Sequence, residues 1–137
     1  MVQVLVDADN LAPHRLRGLL DALPDDATVV AAGSRAALAK VVWPGSATLL
    51  PRSGWQRADL ELAAAYVPGD APLVLATGDG DFAQLGRRHP GHVLVVSGSP
   101  SAHLRVGVTV LDPVHDGVDA VRRWITGALS APLPADE

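Results

Sequence analysis

Short unbroken apolar runs alternate along the chain with segments whose leucines and alanines recur every three or four positions. The run at 2–6 stops at Asp7, and Leu16, Leu19, Leu20 and Leu23 then mark one face of a helix over 13–23, with Pro13 suited to its first turn. The same reading gives a strand at 27–32, a helix near 34–42 and a short strand at 47–50. A helix at 57–67, a strand at 73–77 and a helix at 82–89 follow. Strands at 92–96 and 108–111 flank a helical turn at 101–105, and an amphipathic helix at 118–129 ends the pattern. The helix at 57–67 is apolar almost all round, which predicts burial. Near-continuous apolar strands alternating with helices predict an α/β fold, a three-layer α/β/α sandwich with a central parallel sheet and right-handed crossovers. One domain over 1–130 is expected, with a loose tail at 131–137.

Composition narrows the chemistry. The 137 residues include no cysteine, which excludes disulfides, thiolate metal sites and thiol nucleophiles. The first residues read as a strand running into charges rather than a signal peptide, and no apolar run approaches a membrane span. A soluble, cytoplasmic protein without membrane association is the expectation. The net charge is −4, which argues against a generally basic nucleic-acid surface. Five of the acids cluster in three short motifs, and without them acids and bases nearly balance.

Those motifs carry the candidate chemistry. Asp7 and Asp9 close the first strand, Asp59 opens the helix at 57–67, and Asp79 and Asp81 follow the strand at 73–77. In a parallel sheet, ligands gather outside the carboxyl ends of the strands at a topological switch point. Carboxylates without cysteine or a histidine pair select a hard, oxygen-seeking cation, Mg²⁺ or Mn²⁺. Such a cation activates water and clamps a phosphodiester. Each acid also has a local reading. Asp9 or Asn10 could cap the helix near Pro13, Asp59 could answer the dipole of its helix, and Asp81 could cap the helix at 82–89. Glu61 reads as a surface charge or an ion-pair partner of Arg57, and the five histidines read as surface residues. Neither a phosphate-binding P-loop nor a GxSxG serine elbow is present.

Taken together, Val6-Asp7-Ala8-Asp9-Asn10-Leu11, Gln56-Arg57-Ala58-Asp59-Leu60 and Ala76-Thr77-Gly78-Asp79-Gly80-Asp81-Phe82 resemble the NYN domain of the PIN-like ribonuclease superfamily. The resemblance spans 2–96. It implies a Rossmann-like PIN fold and Mg²⁺- or Mn²⁺-dependent endonucleolytic cleavage of RNA. Asp7, Asp59, Asp79 and Asp81 match the family's metal-binding and catalytic acids, and Asn10 matches the Asn that follows the first. Arg35, Arg52 and Arg57 are then candidate phosphate contacts, and Trp55 a candidate base-stacking residue; packing and solvation are the local alternatives for these four. The family relationship also admits a homodimer. Two departures stand out: Gln56-Arg57 where family members often carry Lys, and Ala63, Ala64 and Tyr66 where many carry a further acid.

These departures keep a second function open, an RNA-binding or regulatory module that does not cut. A third follows from Asp7-Ala8-Asp9 and Gly78-Asp79-Gly80-Asp81, which resemble motifs of haloacid-dehalogenase-type phosphatases, with Asp7 as nucleophile. The Thr-rich turn expected after the first of those motifs is replaced by Asn10-Leu11-Ala12.

Overall fold

The apolar runs pair with one another because each is hydrophobic on both faces and needs cover on both. The computed structural model describes residues 1–52, 58–78, 82–98 and 108–132, with 58 and 59 described in backbone only. The chain runs β1 (Gln3–Asp7), α1 (Pro13–Ala22), β2 (Thr28–Ser34), α2 (Arg35–Leu38), β3 (Thr48–Arg52), α3 (Ala58–Ala65), β4 (Leu73–Ala76), α4 (Ala83–Arg88), β5 (Val93–Val96), β6 (Thr109–Leu111) and α5 (Val118–Ser130). Among the described residues, the strands form one sheet in the order β3-β2-β1-β4-β5-β6. Every pairing is parallel.

Alternation along β1 divides the core. Val2, Val4 and Val6 join Leu16, Leu19, Leu38, Val121 and Ile125 in one apolar layer, under α1, α2 and α5. Leu5 joins Leu62, Phe82 and Ala83 in the other, under α3 and α4. Helices on both faces of one parallel sheet make an α/β architecture of three layers. The division follows from winding. The chain moves outward from β1 to β3, then returns to place β4 on the other side of β1. Crossovers of one hand must use the opposite face when the direction of travel reverses.

Several expectations change in detail. The helix near 34–42 is only one turn long, Arg35–Leu38. The indole Nε1 of Trp43 donates to the Leu38 carbonyl at 2.8 Å and so satisfies one of the open acceptors that end a helix. β3 runs on through Pro51 to Arg52, past the expected end at Leu50. Proline is admissible there because β3 is an edge strand paired only with β2. α3 is not mostly buried. Leu62 is fully buried, whereas Leu60 is 65% exposed and Ala63 and Ala64 are also exposed. The uniform apolar composition of α3 hides a helix that packs along one side only. Leu129 of α5 is likewise exposed. At the end of the chain the His92 ring donates from Nε2 to the Pro132 carbonyl at 2.7 Å, so the expected loose tail is held as far as Pro132. Residues 133–137, and the helical turn expected at 101–105, lie outside the described residues. No helix among the described residues is long and apolar enough to cross a membrane.

α1 packs closely through Gly18 against the connection from β6 to α5, where a Cβ would stand 2.9 Å from the Pro113 side chain and 3.6 Å from Val118 at the start of α5. The ion pair of Arg15 and Asp112, with both guanidinium contacts near 3.1–3.2 Å, ties α1 to the chain beyond β6.

The contrast within α3 gives a stability test. Leu62→Ala should lower the unfolding free energy by about 2–5 kcal/mol. Leu60→Ala should change it by no more than about 0.5 kcal/mol. Urea titration of both variants beside the wild type checks this.

Candidate functional site

All six strands point the same way, so their carboxyl ends lie along one edge of the sheet, and β1 and β4 meet at its centre. Asp7 ends β1 on the face shared with Leu5, and it is buried, with 3% of its surface exposed. A buried carboxylate is costly unless hydrogen-bonded or paired with positive charge. Asn10 answers part of that cost. Its backbone N–H donates to the Asp7 carbonyl at 3.1 Å, and its side-chain Nδ2 donates to Asp7 Oδ2 at 2.6 Å. The Thr77 hydroxyl donates to the same Oδ2 at 3.3 Å. Thr77 follows directly from the register that pairs Val6 with Ala76, one step before Asp7. That register would have identified Thr77 from sequence once β1 and β4 were known to be neighbours.

α3 reaches this edge from above. At the opposite edge the Gln3 side chain exchanges two hydrogen bonds with the backbone of Val67, at 2.9 and 2.8 Å. α3 therefore runs antiparallel to β1 from a fixed point.

The remaining candidates are distributed as follows. Asp79, Asp81, Trp55 and Arg57 lie outside the described residues, as does the side chain of Asp59. Arg35 is exposed at the start of α2 on the carboxyl edge. Arg52 ends β3 and forms an ion pair with Glu61 of α3 at 2.5 Å, and its buried Nε has no hydrogen-bond partner among the described residues. Glu61 thus has Arg52 as an ion-pair partner, and the expected pairing with Arg57 lies outside the described residues. Among the described residues, no group of three or more His, Asp or Glu side chains gathers to hold a cation.

Asp9 and Asn10 do not cap α1. Its N-cap is Ala12, without a side-chain hydrogen bond. Asp9 instead reaches across to β2, where Oδ1 accepts from the Ser34 hydroxyl at 2.8 Å and Oδ2 from the Ser34 backbone at 3.0 Å. The Ser34 hydroxyl in turn accepts from Ala37 N at 3.1 Å and caps α2. Gly33 lets the two strand ends approach this closely, since a Cβ there would lie 3.0 Å from that of Ala8 and 3.2 Å from Asp9 Oδ2.

His89 is also not a surface residue. It is buried at the amino edge, where Nε2 faces the Ala71 carbonyl at 2.5 Å and Nδ1 faces the Tyr66 hydroxyl at 2.7 Å. A carbonyl only accepts, so Nε2 carries the proton and Nδ1 accepts from Tyr66. This clip joins the ends of α3 and α4 to the approach to β4.

The donor chemistry at Asp7 fits a hard divalent cation: an oxygen ligand at a strand end, itself hydrogen-bonded, as metal-ligating carboxylates usually are. The strand order is also that of dinucleotide-binding sheets, but the first turn reads Asp-Ala-Asp-Asn instead of a glycine-rich loop, and two carboxylates there repel a pyrophosphate. No protein-family model matches the chain, and neither curated proteins nor solved structures give a significant match.

Two acid-sensitive groups follow from this geometry. Burial pushes the His89 imidazole below its ordinary value of 6.5, against the opposing pull of the Ala71 carbonyl and the Asp70 charge. For Asp112, burial pushes the carboxyl up, but hydrogen bonds from Arg15 and from the backbone of Val114 and His115 outweigh it and hold it below 3.8. Both groups have depressed folded values, so the unfolded chain binds the proton first and stability falls as pH falls. Stability should be full above pH about 6.5, decline below it through His89, and decline again below about 3.8 through Asp112. Urea titrations across pH check the sequence of losses, and His89→Gln should flatten the first.

Proposed function

We propose that the chain is a metal-dependent endoribonuclease related to the NYN domains of the PIN-like superfamily. The observation that carries the reading is the buried carboxylate of Asp7 at the carboxyl end of β1, beside the end of β4 that leads through Thr77 and Gly78 to Asp79. Asp7, Asp59, Asp79 and Asp81 would hold Mg²⁺ or Mn²⁺, which supplies an activated water and neutralises charge on a phosphodiester. Asn10 and Thr77 hold the Asp7 carboxylate in one orientation. Arg35, at the same edge and exposed, is available to a phosphate of the bound RNA. Arg57 and Trp55 complete the substrate contacts in this reading.

One observation favours a second reading, an RNA-binding module that does not cleave. Besides Asp59, the only acid on α3 is Glu61, and Arg52 engages it. The acid set available to a cation is correspondingly small.

Purified protein incubated with mixed-sequence RNA in Mn²⁺ separates the two. The nuclease reading expects internal cleavage that falls by at least about 100-fold in Asp7→Asn, with an unchanged melting temperature, a loss in the range set by removing one charge-stabilising group. Retained cleavage in Asp7→Asn sinks the site assignment. RNA binding without cleavage by the wild type leaves the binding module.

A further inference from the structure

On the other side of Asn10 from Asp7 lies a cleft of about 330 Å³ between the start of α1 and α2. Its volume is at the lower end of the roughly 300–1,000 Å³ typical of small-molecule pockets, a size for one nucleoside and not for a folded RNA element. Its floor includes Leu11, Leu16 and Ala37, all buried, with Pro13 beside them. Its polar rim includes Asp9, Ser34 and Lys40. Asn10 lines it as well, and the same side chain bonds Asp7.

We propose that this cleft seats a nucleotide next to the scissile phosphate and that Asp9 recognises its ribose 2′-hydroxyl; the inference rests on the ribonuclease reading above. Asp9 is fixed at two points by Ser34, one on each carboxylate oxygen. Each oxygen has a further lone pair, so the carboxylate can accept another hydrogen bond without moving. A carboxylate is an acceptor only. It repels a phosphate and selects a hydroxyl, and the 2′-hydroxyl is the donor that RNA has and DNA lacks. The exposed carboxylate thus has an orientation set in advance, which lowers the ordering cost of binding. The apolar floor offers a surface to the base. Lys40, the sole lysine of the chain, provides the positive charge for the adjoining phosphate. Asp9 in this role is a specificity residue, separate from the cation ligands.

The test is a coupling cycle between protein and RNA. A short fluorescent single-stranded RNA is bound in Ca²⁺ to suppress cleavage, and 2′-deoxy substitutions are scanned one position at a time. For the wild type, one position should lower affinity by about tenfold, the loss expected for a hydrogen bond to a charged group. In Asp9→Ala that position should become insensitive, and in Asp9→Asn, whose amide oxygen still accepts, the penalty should shrink. Lys40→Ala should weaken all the RNAs equally and leave the sensitivity in place. A misfolded variant loses affinity for every RNA, whereas the proposal concerns the difference between two RNAs on one protein. Ser34→Ala, which keeps the carboxylate, should retain part of the discrimination. If the 2′-deoxy penalty is the same with and without Asp9, or absent at every position of an RNA that binds, the proposal is overturned and the ribonuclease reading stands. If the wild type neither binds nor cleaves RNA, both are overturned.

Discussion

The carboxyl ends of parallel strands all lie on one edge, and the chain reverses its direction of travel at β1. The candidate site's placement follows from that constraint. Asp7, Ser34, Arg52 and Thr77 come from four strand ends, or the residue just after them, yet share the crest of the sheet. The reversal opens the gap between the first and fourth strands. The connections on its two sides must cover opposite faces. The carboxylate at the end of β1 is buried there, with hydrogen bonds from Asn10 and Thr77.

The layered fold was legible in the sequence because its strands are apolar on both faces and its helices are not. Boundaries were less legible, for reasons attached to particular residues. Pro51 reads as a strand terminator, yet an edge strand has a side on which a missing N–H costs nothing. Trp43 closes α2 through an indole contact that spacing does not reveal. α3 defeated the periodicity argument because alanine carries almost no directional signal. Its fully buried residue, Leu62, is surrounded in sequence by residues just as apolar but exposed.

The site was legible as residue types, and less so as roles. Asp7 stood out by closing an apolar run. Asn10 stood in the same motif, and its side chain bonds Asp7. Asp9 was better explained by local capping until tertiary structure was considered, because its partner Ser34 lies on another strand. Its bonds to Ser34 join two βα turns and support the cap of α2, which links the shape of the cleft to the ends of β1 and β2. Thr77 was visible in its motif but acquired a contact only through the strand register.

The clip formed by His89, Tyr66 and the Ala71 carbonyl sits at the opposite edge from these residues, across the full length of β1. Two poles of the molecule thus carry separate polar networks, one closing the scaffold and one exposing chemistry. The fastening at the amino edge shares no residue with the hydrogen-bonded groups of Asp7, Asp9 and Ser34 at the carboxyl edge.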